Sequence, residues 1–251
     1  MIKLAVTGCQ GRMGQAITNI ALSKTDIFKV TALFENKDRG DLPKDFQGVS
    51  IYTDLSALNG CDVLIDFTTP AALFSNIEAC EKYGVAMVIG TTGLDAREIG
   101  FIQQASKNIP IVFSSNMSLG VNVFFKLIEQ ASTYMKGSIN KVHIEETHHV
   151  HKKDAPSGTA KTMRDKVEKF SSVRIADEDV VSHRKGEVVG DHVIVYETPF
   201  DTLTISHHAK DRKMFAFGAV CAAHWLKDHK KQNGLYDMED VFGMKNDMER
   251  K

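Results

Sequence analysis

Three histidines, two lysines and a Pro-Ser-Gly-Thr turn share one short run, His148-His149-Val150-His151-Lys152-Lys153-Asp154-Ala155-Pro156-Ser157-Gly158-Thr159. Imidazole gives or takes a proton near neutral pH, a lysine ammonium pairs with carboxylates, and the free amides of a helix start hold anions. Pro156 has no N–H to leave unpaired at such a start, Ser157 is suited to cap it, and Gly158 lets a ligand approach the amides. The run therefore has the groups to grip and protonate an acidic small molecule. No metal is expected: His148 and His149 point to opposite sides of an extended chain, and no cysteine or His-x-x-x-His pattern completes a ligand set. Asp154 is expected to steady the loop through nearby backbone, since a carboxylate aimed at an acidic substrate would repel it.

A second set of residues opens the chain. Gly8-Cys9-Gln10-Gly11-Arg12-Met13-Gly14 follows a strand-like run, Ile2 to Val6, and leads into a helix, Gln15 to Leu22. Glycines permit a tight turn and close approach of backbone to a pyrophosphate, whose charge the helix N-terminus favours. The spacing GxxGxxG departs from the common GxGxxG, but Glu35 ends the next strand, where an acidic residue can accept from an adenosine ribose diol. Glu35 favours NADH and would repel a 2′-phosphate, while Lys37 and Arg39 offset that repulsion, so either NADH or NADPH is expected to serve. Asp66-Phe67-Thr68-Thr69-Pro70 and Gly90-Thr91-Thr92-Gly93 each follow a strand-like run and are expected to line the same cleft, because open parallel sheets bind ligands at their strands' carboxyl ends.

The elements that must position these groups come in two rhythms. Apolar runs at Ile2 to Val6, Val30 to Phe34, Val63 to Phe67, Ala86 to Ile89 and Ile109 to Phe113 alternate with amphipathic stretches at Gly11 to Ala21, Ala71 to Lys82 and Asp95 to Ser106. That alternation predicts a parallel sheet covered on both faces. Beyond it, Leu119 to Tyr134 reads as helix, Lys141 to Glu146 as strand and Ser157 to Phe170 as helix, and then His192 to Glu197 and Thr202 to His207 follow as two strands without a helix between. The fold class is α/β, with a dinucleotide-binding domain at 1–118, a smaller α+β domain with a mixed, largely open sheet at 119–212, and 213–251 returning to the first. Val193, Ile194, Val195 and Tyr196 are consecutive and apolar, so both faces of that strand need cover; helices on one and another subunit on the other predict a homo-oligomer.

Composition narrows the function. A formal net charge of −1 gives no global attraction for nucleic acid or an anionic membrane, so an acidic ligand must be held by local cations. The four cysteines, Cys9, Cys61, Cys80 and Cys221, form no CxxC pair, which fits a reduced cytoplasmic protein. No apolar stretch is long enough to span a bilayer, and Met1 leads directly into a strand rather than a signal peptide.

The stretch Glu145 to Ala160, with His148-His149, Lys152 and Asp154-Ala155-Pro156-Ser157-Gly158-Thr159-Ala160, resembles the signature of the 4-hydroxy-tetrahydrodipicolinate reductase (dihydrodipicolinate reductase) family. The likeness extends in order through Gly11-Arg12-Met13-Gly14, Asp66-Phe67-Thr68, Gly90-Thr91-Thr92-Gly93, Ser115-Asn116-Met117-Ser118-Leu119-Gly120-Val121-Asn122 and Gly190-Asp191-His192. It implies a Rossmann-type first domain, a homotetramer, and NAD(P)H-dependent reduction of a cyclic dicarboxylate in the diaminopimelate and lysine pathway. By that resemblance His148 donates the proton and Lys152 holds and polarises the substrate, while His149, Ser157, Gly158 and Thr159 bind its carboxylate. The cofactor falls to Gly8, Gln10, Gly11, Arg12, Met13, Gly14, Glu35, Lys37, Phe67, Gly90, Thr91, Thr92, Ser115, Asn116 and Met117. Cys9-Gln10 stands where small residues are usual and Met117 where many relatives have an aromatic, which bears on cofactor preference. Two other readings fit the residues: a nicotinamide-binding sensor without turnover, and a dehydrogenase of another small dicarboxylate or semialdehyde.

Overall fold

The computed structural model describes residues 1–229 and 232–245. Residues 230, 231 and 246–251, which belong to the segment predicted to return to the first domain, lie outside the described residues. The chain forms two compact units, Met1–Ser118 joined by the segment from Lys213 onward, and Leu119–Arg212.

In the first unit the order is β1 (Ile2–Thr7), α1 (Arg12–Leu22), β2 (Phe28–Phe34), β3 (Asp45–Phe46), β4 (Val49–Tyr52), β5 (Val63–Asp66), α2 (Pro70–Tyr83), β6 (Ala86–Ile89), α3 (Ala96–Ala105) and β7 (Pro110–Phe113). The second unit holds α4 (Leu119–Tyr134), β8 (Lys141–His148), α5 (Gly158–Ser171), β9 (Val180–Arg184), β10 (Gly190–Glu197) and β11 (Thr202–Ala209). The chain then adds α6 (Lys213–His229), β12 (Gly234–Tyr236) and α7 (Met238–Val241) to the first unit.

The first sheet runs β12-β7-β6-β5-β1-β2-β4-β3, parallel throughout except for the short β3–β4 hairpin at one edge. Every residue of β5 and β6 is buried, as continuous apolar runs require when helices cover both faces, and Asp66 at the end of β5 accepts from Thr7 and Thr68. Leu73 and Ile77 of α2 and Ile102 of α3 pack on one face, and Ile17 of α1 with Ala216, Ala219, Ala223 and Leu226 of α6 on the other. The small residues of α6 allow it to lie close: a Cβ on Gly218 would stand 1.7 Å from the Met117 carbonyl oxygen. Local signals set the helix ends, with Pro70 in the first turn of α2 and a reciprocal Asp95–Glu98 capping box on α3.

The second sheet runs β11-β10-β8-β9, antiparallel in its first two pairs and parallel between β8 and β9. Val142, Ile144, Glu146 and His148 alternate along β8 and are buried, as are His192, Ile194 and Tyr196 along β10. Tyr196 is fully buried and its hydroxyl pairs with Ser132 of α4 at 2.9 Å. Val193 and Val195 face the other way and are only half-buried, so within one chain β10 is covered on one face alone. Strands β3, β4, β9 and β12 were not legible in the sequence. They are short or polar, and β3, β9 and β12 sit at sheet edges, where tertiary pairing rather than apolar patterning makes the strand.

Candidate active site

Strand β8 continues two residues past the predicted end, because parallel pairing with β9 extends to His148 opposite Arg184. Glu146 and His148 therefore share the covered face, with His192 of β10 directly opposite Glu146 and His207 of β11 next in line. The Nδ1 atom of His148 is in a short hydrogen bond with one oxygen of Glu146. The other oxygen accepts from both Nη atoms of Arg184, each at 3.2 Å, and from the Ser157 amide at 3.2 Å. Burial opposes ionisation of Glu146, but hydrogen bonds from His148 and Ser182 and the charge of Arg184 outweigh it and hold the carboxyl at about 2. Glu146 is thus an acceptor, and His148 donates to it through Nδ1–H.

His192 meets His148 edge to face with ring centroids 5.1 Å apart. Both its ring nitrogens are buried without a hydrogen-bond partner among the described residues. Burial, with His148 and His207 nearby, pushes it down to about 4. One ligating atom each from Glu146, His148 and His192 fall within 4.8 Å of one another. The three histidines of the run do not form that group. Its carboxylate is already engaged by a guanidinium and an imidazole N–H, so the cluster is hydrogen-bonded in this structure.

The loop after β8 carries the remaining predicted residues. The Asp154 carboxylate accepts from its own backbone amide, as expected of a loop stabiliser, and in addition pairs with Lys152 at 2.9 Å. Arg184 also donates from Nε to the Lys152 carbonyl at 3.2 Å and from Nη2 to the Asp154 carbonyl, tying the loop to β9. Ser157 caps α5, its hydroxyl accepting from the Ala160 amide at 3.2 Å. Its own amide is given to Glu146, which leaves the first-turn amides of Gly158 and Thr159 open to an anion. A Cβ at Gly158 would meet nothing within 4 Å, so space lies over that turn. His149 is half-buried with Nδ1 unpartnered, and desolvation followed by the Arg212 charge pulls it down; His151 is exposed near Glu187.

In the first unit a cavity of about 1040 Å³ lies along the carboxyl ends of β1, β2 and β5. Gly8, Gly11, Glu35, Lys37 and Phe67, all predicted, line it, together with Asn36, Asp38, Arg39, Thr53, Thr69, Ser75 and Asn76, of which the sequence had singled out only Arg39 and Thr69. Gln10, Arg12, Met13, Gly14, Gly90, Thr91, Thr92, Ser115, Asn116 and Met117 are not among its lining residues. Gly14 shapes the turn from behind: a Cβ there would stand 2.2 Å from the Gly8 carbonyl oxygen. Gly8 has φ of +61°, which L side chains rarely adopt. Helix α1 starts at Gly11 without a side-chain cap, so its first amides are open to an anion. Glu35 accepts from the Gln10 amide at 2.9 Å and the Asn36 amide at 3.0 Å, and Arg39 covers it at 3.4 Å, with side-chain exposures of 7% for Glu35 and 50% for Arg39. Gly90 is pressed by the Phe67 ring, and Met117 is buried. This cradle fits a dinucleotide: open amides at the helix start, an excluded Cβ, an acidic residue and a guanidinium at the end of β2.

Sequence comparison with known families decides what the geometry leaves open. Residues 2–117 match the family described as dihydrodipicolinate reductase, N-terminus, and residues 120–242 that described as dihydrodipicolinate reductase, C-terminus. The chain belongs to the dihydrodipicolinate reductase family. Among relatives of that family, the 4-hydroxy-tetrahydrodipicolinate reductase of Nitrosomonas eutropha is 39% identical, over 98% of this chain and 99% of its own. That of Pseudomonas fluorescens is 37% identical over 98% and 100%. The fold is that of a dipicolinate-bound dihydrodipicolinate reductase from Paenisporosarcina sp. TG-14, with TM-score 0.80 and 23% identity over 96% of this chain and 99% of that one. A probable dehydrogenase from Thermotoga maritima shares it more distantly, at TM-score 0.62 and 11% identity over 96% and 92%. In this member of the dihydrodipicolinate reductase family Glu146 and Arg184 lie at the heart of the histidine cluster, and neither was singled out from sequence as a site residue. The signal that would have found Glu146 is its spacing, since two residues along a strand share a face. Arg184 has no local signal because β9 joins β8 across 36 residues of sequence.

Proposed function

We propose that the protein reduces 4-hydroxy-tetrahydrodipicolinate to tetrahydrodipicolinate at the expense of NADH or NADPH, the 4-hydroxyl leaving as water before hydride adds at C4 of the conjugated imine, a step towards diaminopimelate and lysine. The observation that carries the reading is the His148–Glu146 pair beside the open amides of Gly158 and Thr159, in a chain of this family. A nicotinamide cofactor held at the glycine-rich turn would supply the hydride. Gly158 and Thr159 donate to one substrate carboxylate, with His149 alongside, and Ser157 holds the turn in shape. Lys152 exchanges its Asp154 partner for the substrate and offsets charge. His148 gives a proton from Nε2 to the carbon left electron-rich by reduction, a role worth roughly 10²- to 10⁴-fold in such steps.

Either cofactor serves on this reading, because Glu35, which lines the cavity at the end of β2, has carboxylate lone pairs left for a ribose hydroxyl once Arg39 swings away, and the Arg39 guanidinium, with Lys37 beside it, can meet a 2′-phosphate. The chain is proposed to work in the cytoplasm as a homotetramer, without nucleic acid or membrane; none of the described helices is long and apolar enough to cross a bilayer. A dehydrogenase working through a cysteine thiolate is disfavoured, since burial pushes Cys9 up to about 11 and raises Cys61, Cys80 and Cys221 as well. The test is consumption of reduced nicotinamide with freshly made substrate, alongside calorimetric titration of pyridine-2,6-dicarboxylate. Absence of turnover with both cofactors, while nucleotide still binds, would select the sensor reading instead.

A further inference from the structure

The proposed reaction leaves one buried charge without a task. Glu146 is 1% exposed and ionised, a state that persists only where its partners compensate for lost hydration. Its two oxygens divide the work. One accepts from the Arg184 fork and the Ser157 amide, and the other meets Nδ1 of His148, with the Ser182 hydroxyl also donating to the carboxylate. A carboxylate held in that way selects the Nδ1–H form of the ring and supports its imidazolium, as the buried aspartate does for the histidine of a serine-protease triad. Nε2 is then the atom that can act, and it lies over the bare α-carbon of Gly190. Arg184 meanwhile binds the carbonyls of Lys152 and Asp154, so one guanidinium fixes both the acid's partner and the loop that carries the lysine.

We infer that Glu146 and Arg184 are positioning residues: Glu146 sets the tautomer and orientation of His148, and Arg184 holds Glu146 and the Lys152 loop in register. The inference rests on the reading of His148 as the acid. Charged and titratable groups face this pair from every strand and from the loop: Arg184 on β9, His192 on β10, His207 on β11, and Lys152 and Asp154 before α5, while Asp191 lies on the other face of β10 and pairs with His208. Of these only Arg184 and His148 touch the Glu146 carboxylate through their side chains.

Glu146→Gln keeps the shape and removes the charge. The expected result is a fall in kcat of about 10²- to 10³-fold, by analogy with the loss of an orienting carboxylate, with the affinity for pyridine-2,6-dicarboxylate unchanged within about threefold. Glu146→Asp should recover part of the turnover and restore the wild-type pH profile. Nitrogen NMR of histidine-labelled protein supplies a readout independent of turnover, with His148 protonated at Nδ1 when neutral in the wild type and at Nε2 in Glu146→Gln. Should Glu146→Gln fail to fold, Arg184→Lys, which keeps charge and loses the fork, is expected to raise substrate KM more than it lowers kcat. Wild-type turnover in Glu146→Gln, a parallel loss of dicarboxylate affinity and turnover, or the same His148 tautomer in both proteins would overturn the inference. An inactive wild type would sink the reductase reading, and the tautomer measurement would still decide the Glu146–His148 relationship.

Discussion

A Cβ placed on Gly190 would stand 3.0 Å from Nε2 of His148 and 3.3 Å from Cε1 of His192. The first residue of β10 is therefore the floor on which both rings rest. Gly190→Ala is expected to tilt the His148 ring off its productive direction and lower kcat about tenfold or more, with nucleotide affinity unchanged. Steady-state kinetics with calorimetric NADH binding checks it; an alanine variant with full turnover shows that the rings can give way at no cost.

Removal of the acid and of the lysine should differ in kind. His148→Ala is expected to lower kcat by roughly 10²- to 10⁴-fold while leaving cofactor affinity intact. Lys152→Ala should damage kcat and substrate KM together, because the ammonium meets the substrate both before and during reaction. Near-normal turnover by both variants would remove the site.

Cofactor choice is expected to turn on one guanidinium. Arg39→Ala should cut kcat/KM for NADPH by about tenfold, the size of a charge-assisted contact to phosphate, and leave NADH within a small factor. Equal losses with both cofactors would show Arg39 acting only through Glu35.

Stability should fall on mild acidification. His192 is driven from its ordinary 6.5 down to about 4, first by burial and then by His148 and His207. Between those values the unfolded chain takes a proton that the native protein refuses, so the contribution is complete above pH 6.5 and is lost as pH drops through 4. Its size is on the order of 3 kcal/mol. Glu146, lowered from 4.5 to about 2, contributes in the same direction but only at more acid pH. Urea midpoints at pH 7 and pH 4.5 should differ clearly for the wild type and less for His192→Asn, and identical slopes for the two proteins would count against the assignment.

Val181, Val193 and Val195 share the half-covered face of the second sheet with Glu145, Thr204 and Ser206. Light scattering is expected to give a tetramer, and Val193→Lys with Val195→Lys a smaller species whose circular dichroism is unchanged. A monomeric wild type at micromolar concentration would refute assembly through this face.

Much of the architecture could be read in the residues because burial leaves a periodic mark. The apolar runs of β5 and β6 and the helix Leu119–Tyr134 stood where the pattern put them, and Ser157 before Gly158 marked the start of α5. The glycine turn was legible for a related reason, since a positive φ at Gly8 and the crowded Gly14 restrict which residue can stand there. Polar edge strands such as β9 left no such mark, because their existence depends on a partner strand.

The sequence by itself thus determined the parts: an α/β chain of this family, a nucleotide turn, and a run of histidines and a lysine ahead of a helix start. Only the tertiary structure decided how the run is wired. It turned Glu146 inward with His148, brought Arg184 to both from β9, gave the Ser157 amide to Glu146, and set Gly190 beneath the ring. The physical reason is that composition and spacing fix what a segment can do along its own length. Which charge faces a given imidazole is fixed by strand register, and register is settled only when the sheet closes over its core.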